Sequence, residues 1–140
     1  IESQTAKVLR YALPKAGEKL GRAEVFHSLG GAGGDGCAFD AEGNLWVADF
    51  QRRDTKKGRI TVLSPAGKAL GHLPVPAEVV SNVTFGGPGR DELFMTTGGP
   101  PGVFHCAVGV KGFAGHPGKK TKWVRELDVK ATDEPLVEKP

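Results

Sequence analysis

The chain has 140 residues, with 21 glycines and 10 prolines, and its formal net charge is +3. A chain of this size usually forms one domain, and this much glycine and proline favours short strands joined by turns over long helices. No stretch of the sequence approaches the ~20 consecutive apolar residues of a membrane-spanning helix, so we expect no membrane partner.

Two short segments near the amino end, 7–11 and 24–27, have the composition of strands. Their patterns match those of two later segments, 59–63 and 69–73, which follow a predicted hairpin. We therefore expect 7–11 and 24–27 to be the third and fourth strands of a unit whose first two strands are absent from this chain.

The next segment predicts that hairpin. Cys37 and Phe39 lead into the turn Asp40-Ala41-Glu42-Gly43-Asn44, and the chain returns through Leu45-Trp46-Val47-Ala48. Aspartate and asparagine side chains hydrogen-bond the backbone of turns, and glycine supplies a positive φ. We expect Asp40 and Glu42 to serve this turn.

The hairpin plan recurs further along the chain. Phe39 and Phe85 lie 46 positions apart, and Leu45 and Leu93 lie 48 apart. Four strands in roughly 40–50 residues, repeated, is the pattern of a β-propeller blade. The expected fold class is all-β, with about two blades of an incomplete propeller. The strands are expected near residues 36–40, 45–50, 59–64, 69–73, 80–85, 92–97 and 102–107.

The pattern divides one partial propeller domain, residues 1–140, into four parts. Residues 1–30 end one blade, 31–76 form a complete blade, 77–112 form most of the next, and 113–140 are a loop and tail. Propellers close with about 4–8 blades, so we expect a fragment of a longer protein. The alternative is a two-blade protein that closes by oligomerising, and the sequence leaves the oligomeric state open.

Large apolar side chains recur on matching strands of the two units, and we expect them to be largely buried. They are Phe39, Trp46, Val62, Phe85, Phe94 and Phe104.

The candidate site residue is Asp35, which begins the innermost strand of the complete blade. It follows Gly30-Gly31-Ala32-Gly33-Gly34. So many glycines allow many backbone conformations and offer almost no side chains to pack, which predicts a loop without a packing role. Innermost strands line the central channel, so the first residues of successive blades converge on one mouth, where a hard divalent cation would take oxygen ligands. Asn82, 47 positions on, has nearly the corresponding place in the next blade. It is a candidate polar residue of the same mouth.

The net positive charge is mild, and it has one cluster of basic residues, Lys119-Lys120-Thr121-Lys122. The only aromatic residue beside this cluster is Trp123. Nucleic-acid surfaces place aromatic side chains among basic ones along a groove. We therefore expect a solvated loop here and no nucleic-acid partner.

The segment from Gly34 to Ala48 resembles the Pro-Asp-Gly…Asp-x-x-Gly-x-Leu-Trp-Val-Ala motif of the senescence marker protein/gluconolactonase/luciferin-regenerating-enzyme family. The turn and second strand alone would equally suit the NHL-repeat propellers. Further matches follow in the family's order: Gly58-Arg59-Ile60, Phe85-Gly86-Gly87 before Leu93-Phe94-Met95-Thr96, and Val108-Gly109-Val110-Lys111-Gly112.

The resemblance implies a six-bladed propeller that holds one divalent cation and hydrolyses a small-molecule sugar lactone. Calcium is the favoured cation, with zinc, magnesium or manganese as alternatives. The family's ligands are a Glu near the amino terminus, an Asn in mid-chain and the Asp of Pro-Asp-Gly. Asp35 matches the last, which implies that it is both metal ligand and catalytic residue. The other two would precede Ile1, and Gly34 replaces the usual proline.

Two other functions stay open, a non-enzymatic calcium-binding propeller and an NHL-like scaffold that binds protein or nucleic acid. A hard cation takes about six oxygen ligands, so we expect this chain alone to bind metal weakly and to be inactive. The sequence does not identify the lactone or the cation. It also leaves the localisation open, with the cytoplasm favoured.

Overall fold

The computed structural model describes residues 1–50 and 57–115. Within them, all seven predicted strands are present with ends within two residues of expectation, and so are both amino-terminal strands. None of the described residues forms a helix long and apolar enough to cross a membrane. The basic cluster at 119–122 and most of the predicted tail lie outside the described residues.

The strands are Lys7–Arg10 (β1), Glu24–Ser28 (β2), Gly34–Phe39 (β3), Leu45–Asp49 (β4), Arg59–Leu63 (β5), Ala69–Pro74 (β6), Val79–Gly86 (β7), Glu92–Gly98 (β8) and Gly102–Ala107 (β9).

The described strands form three antiparallel sheets that follow chain order. The first contains β1 and β2, the second contains β3 to β6, and the third contains β7 to β9. The inner strand of the third sheet, β7, packs against β3 and β4 of the second. Each sheet is thus a meander stacked on the next, as the repeated strand-turn-strand pattern predicts.

Both inner strands have the same irregularity near their first residues. In β3 an extra residue falls between Gly34 and Cys37, and in β7 an extra residue falls between Val80 and Asn82. The two strands correspond with an offset of 46 residues on both sides of these bulges. A β-bulge bends its strand and changes the direction of a side chain, and bulges are common beside functional sites.

Strand β4 lies at the centre of the packing, and its two faces belong to two hydrophobic clusters. Trp46 and Ala48 face the third sheet, whereas Leu45 and Val47 face the first. The larger cluster contains Trp46, Ala48, Ile60, Val75, Ala77, Val80, Val83, Leu93 and Met95. The smaller contains Val8, Leu29, Leu45, Val47 and Leu63.

The predicted core is confirmed in part. Trp46 is buried, and its ring meets the half-buried Phe85 edge-on, with centroids 5.4 Å apart. Val62 and Phe104 are also half-buried against the larger cluster. Phe94 is half-buried and stacks on His105.

The prediction that Phe39 is buried is wrong, because its side chain is 54% exposed. Phe39 lines a cavity of about 290 Å³ together with Val8 and Phe26 of the first sheet. That sheet has only two strands, so it covers this face of β3 incompletely. Strand pattern alone cannot reveal how much of a face the neighbouring sheet covers.

The glycine-rich segment before Asp35 is also packed more closely than its sequence indicates. Gly33 has a φ of +124°, and a Cβ there would collide with the carbonyl oxygen of Ser3. A Cβ on Gly34 would lie 2.7 Å from Leu29 Cδ1. The Ser3 hydroxyl donates a 2.6 Å hydrogen bond to the Gly34 carbonyl. These glycines permit close packing, so the expectation of a merely permissive loop is wrong, and the backbone leading to Asp35 is held.

Phe39 and Phe85 provide a matched test of this packing because they occupy corresponding positions. We expect Phe85→Ala to lower the free energy of unfolding of the 140-residue chain by about 2–4 kcal/mol, below the range for a wholly buried aromatic. Phe39→Ala should cost less than about 1 kcal/mol, since half of the ring is already in water. Urea titration measures both, and equal losses would contradict the assignment of the two faces.

Candidate functional site at the inner-strand starts

Asp35 lies in the bulge at the start of β3 and is exposed. Within the described part of the chain, its carboxylate makes no hydrogen bond or ion pair with another side chain. The backbone on its amino-terminal side is fixed by the glycine packing, and that on its other side by pairing with β4. Asp35 is therefore an accessible carboxylate on a held backbone, an arrangement suited to binding a ligand from solvent.

Asn82 lies at the same end of the neighbouring inner strand, and its side chain packs over Gly36. A Cβ on Gly36 would collide with the Asn82 carboxamide and would lie 2.8 Å from its Cα. The Asn82 oxygen, Oδ1, accepts a 2.8 Å hydrogen bond from the backbone N–H of Val83. Asn82 thus contacts the residue next to Asp35, and the two strand starts do approach one another.

The strand register refines the correspondence that spacing suggested. With an offset of 46 on both sides of the bulge, the counterpart of Asp35 is Ser81, and the counterpart of Asn82 is Gly36. Ser81 hydrogen-bonds through Oγ to the Thr96 hydroxyl at 2.9 Å. The sequence comparison gave Asn82 nearly the corresponding place because it used a separation of 47, between the 46 and 48 of the two hairpin strands, whereas the inner strands themselves are offset by 46.

Asp35 has the oxygen chemistry that a hard divalent cation prefers. Residues 1–50 and 57–115 contain no group of three or more His, Cys, Asp and Glu side chains that could hold a metal ion. These residues therefore fit a cation site only as the source of one carboxylate ligand, with the remaining oxygens coming from elsewhere. The roles of Asp35 and Asn82 in such a site stay predictions.

Asp40 serves the hairpin turn at the opposite end of β3, as predicted. It is 1% exposed. Its Oδ1 accepts hydrogen bonds from the backbone N–H groups of Glu42 and Asn44, at 2.9 and 2.8 Å. Its Oδ2 accepts from Asn44 Nδ2 at 2.9 Å and from Trp46 Nε1 at 3.0 Å. Burial by itself raises the pKa of Asp40, but the hydrogen bonds from Trp46, Asn44 and Glu42 outweigh it and hold the pKa below the ordinary value.

This lowered pKa gives a prediction for stability in acid. The unfolded chain, with Asp40 near pKa 3.9, binds the proton more readily than the folded chain. The stabilisation is therefore complete above about pH 4–5 and is lost as pH falls through the folded pKa. We expect the urea midpoint of the wild type to fall more steeply below about pH 4 than that of Asp40→Asn, which cannot titrate. If the urea midpoints of the two proteins fall equally steeply below about pH 4, this account is contradicted.

Asp49 is a buried residue whose importance the sequence analysis missed. It is 0% exposed at the end of β4, and its Oδ2 accepts hydrogen bonds from Arg59 Nε at 2.7 Å and Thr61 Oγ1 at 2.9 Å. Because the Thr61 proton goes to the carboxylate, His72 Nδ1 is the donor in its 3.1 Å contact with Thr61 Oγ1. Asp49 Oδ1 is buried and has no hydrogen-bond partner among the described residues. The partners of Oδ2 lie on β5, 10 and 12 positions away, and His72 on β6 extends the network through Thr61, so no local sequence pattern identifies it.

A cavity of about 430 Å³ lies between β6 and the segment that follows β9, and Asp35 does not line it. Asp40 and Asn44 contribute polar atoms to its wall, but their hydrogen bonds serve the turn. This cavity therefore offers apolar surface and no free carboxylate.

Stacked antiparallel meanders of up to four strands, with polar residues where the inner strands start, define a propeller protein with a candidate site at the channel mouth. Residues 1–99 match the profile of the SMP-30/gluconolactonase/LRE-like region. The chain belongs to that family.

Two curated relatives are lactonases by name. The chain is 30% identical over 136 residues to the pentonolactonase XacC of Haloferax volcanii, a match that covers 96% of this chain and 44% of the relative. It is 34% identical over 90 residues to the 6-deoxy-6-sulfogluconolactonase of Pseudomonas putida, covering 63% of this chain and 29% of the relative. The chain thus spans less than half the length of either relative.

Solved structures of the same fold confirm the propeller assignment. A luciferin-regenerating enzyme superimposes with a TM-score of 0.69 at 29% identity, over 82% of this chain and 42% of that one. A protein of Agrobacterium tumefaciens described as a calcium-binding protein, regucalcin, superimposes with a TM-score of 0.66 at 24% identity, over 81% and 42%. The second likeness concerns the fold alone.

Proposed function

We propose that the protein carrying this chain is a lactone hydrolase that opens sugar lactones at the mouth defined by Asp35. The observation that carries this proposal is an exposed carboxylate with no side-chain partner among the described residues. It is held at the start of an innermost strand in a chain of a lactonase-containing family. The two lactonase relatives support the substrate class, a small cyclic sugar ester.

In this proposal Asp35 holds a divalent cation together with ligands from elsewhere in the protein. When bound, the cation would polarise the lactone carbonyl and lower the pKa of water. An Asp35 oxygen that is not engaged by the cation can accept the proton of the attacking water. The fixed backbone on both sides of Asp35 restricts the positions that its carboxylate can reach, and a general base must lie within reach of the attacking water.

Calcium is the favoured cation, with zinc, magnesium and manganese as alternatives. A carboxylate at an open mouth suits calcium, which accepts flexible oxygen coordination. A non-enzymatic cation-binding role, with the same carboxylate at the mouth, is the second candidate.

The test offers the full-length protein a panel of five- and six-carbon aldonolactones. Hydrolysis is measured through the proton that the acid product releases. We expect turnover that a chelator removes and a divalent cation restores. Cation binding without turnover of any lactone would reject the enzyme and favour the second candidate. Turnover that is insensitive to chelation would reject the cation.

A further inference from the structure

We infer that Asn82 binds the substrate, by donating a hydrogen bond from its amide Nδ2 to a hydroxyl group of the sugar lactone. The inference rests on the proposed function and assigns a role to a side chain one blade away from Asp35. Its basis is the contact between Asn82 and Gly36, the residue that follows Asp35.

The orientation of the carboxamide is determined by its neighbour. The backbone N–H of Val83 is a donor, so the atom that faces it at 2.8 Å must be the oxygen, Oδ1. The Nδ2 group therefore points away from Val83, and within the described residues it donates to no protein atom. Asn82 is exposed, so these two N–H donors are available to a ligand.

Gly36 makes this position of Asn82 possible. Any residue with a Cβ at 36 would collide with the carboxamide, so the absence of a side chain there lets Asn82 lie against the backbone beside Asp35. The amide atom that lies against Gly36 is the oxygen, so Nδ2 lies on the other side of the carboxamide, at the start of the strand next to that of Asp35. A donor there complements a polyhydroxylated ligand, because Asp35 offers only acceptor atoms. A bound cation would polarise the lactone carbonyl, and the sugar hydroxyls would then be the groups open to Asn82.

A purely structural role would need only the oxygen of Asn82, which receives the Val83 N–H. Asn82→Asp separates the two roles, because a carboxylate keeps that acceptor and the side-chain shape but has no amide donor. Ser81→Ala is the matched control, since it removes a polar group from the same bulge whose partner is Thr96 within the sheet. Asn82→Ala removes both donor and acceptor and shows whether the added charge of aspartate matters.

The experiment measures KM and kcat of the full-length, cation-loaded protein for a lactone that it hydrolyses and for the matching series of single-deoxy lactones. A calorimetric titration with the aldonic acid product gives a second measurement that does not depend on turnover. For Asn82→Asp and Asn82→Ala we expect KM and the product dissociation constant to rise about 3- to 10-fold, the effect of one lost hydrogen bond. That rise should vanish for one deoxy-lactone, and Ser81→Ala should bind like the wild type.

Unchanged KM in both Asn82 variants would overturn the inference and leave the lactonase proposal standing. A rise of the same size for every deoxy-lactone would also overturn it, since the effect would then be one of charge or fold. A wild type that hydrolyses no lactone would overturn the proposed function, and the inference would fall with it.

Discussion

Asp35→Ala in the full-length protein is expected to abolish lactone hydrolysis while leaving the fold intact. In the proposed site the change would remove a cation ligand, the negative charge that offsets the cation, and the base that accepts a proton from water. Loss of a residue that merely orients a ligand costs 10–100-fold, so loss of a ligand should lower kcat/KM by about 100-fold or more. The free energy of unfolding should stay close to that of the wild type, because the exposed Asp35 side chain has no described side-chain partner.

The matched control for this change is Glu42→Ala, an exposed carboxylate in the turn at the other end of β3. It should leave kcat/KM unchanged. Asp40 is closer in sequence to Asp35 but is unsuitable, since its loss would leave the buried N–H of Trp46 without an acceptor. If Asp35→Ala and Glu42→Ala have equal activity, Asp35 is not part of the reaction.

Asp49→Ala is expected to lower the free energy of unfolding by about 3 kcal/mol. Removing one partner of a buried ion pair costs about 3–5 kcal/mol, because the remaining charge is left uncompensated. Here that charge is Arg59, whose side chain is 13% exposed. The lower end of the range applies because the variant also removes the partnerless Oδ1 of Asp49, whose burial is itself a cost.

Chemical denaturation of Asp49→Ala and of the double variant Asp49→Ala/Arg59→Met measures this effect. The double variant should recover much of the lost stability, since an apolar residue leaves no buried charge behind. Asp91→Ala, at an exposed aspartate, is the control and should change stability by less than about 0.5 kcal/mol. A loss below 1 kcal/mol in Asp49→Ala would mean that the pair contributes little.

The order and positions of the described strands could be predicted because their signals are local. Asx and glycine residues mark the turns, and Gly43 does adopt a φ of +84°. The repeat then orders the strands without any knowledge of long-range contacts. Trp46 was predictable as a core residue for the same reason, but its hydrogen bond to Asp40 was not, since it requires the turn and the strand to be folded together.

What could not be predicted depends on contacts between blades. Phe39 and Phe85 have the same local pattern, yet only Phe85 meets a sheet that covers it. The packing of Gly33 against Ser3 joins residues 30 positions apart. The strand register makes Ser81 the counterpart of Asp35, and the sequence alone left this open because the two strands of the hairpin repeat at different spacings, 46 and 48.

Asp35 itself was singled out from its place at a strand start and from the family motif, and the structure describes it as accessible on a held backbone. In the proposed site the remaining cation ligands would come from outside the described residues, which contain no group of three or more side chains that could hold a metal ion.

Calorimetric titration of calcium into the full-length wild type, Asp35→Asn and Glu42→Gln tests the central claim most directly. Asp35→Asn keeps the size of the side chain and removes its charge. The account predicts one cation site in the wild type and in Glu42→Gln, and an affinity weaker by about 100-fold or more in Asp35→Asn. Equal affinities in all three proteins would show that Asp35 holds no cation and would contradict the proposed lactonase site.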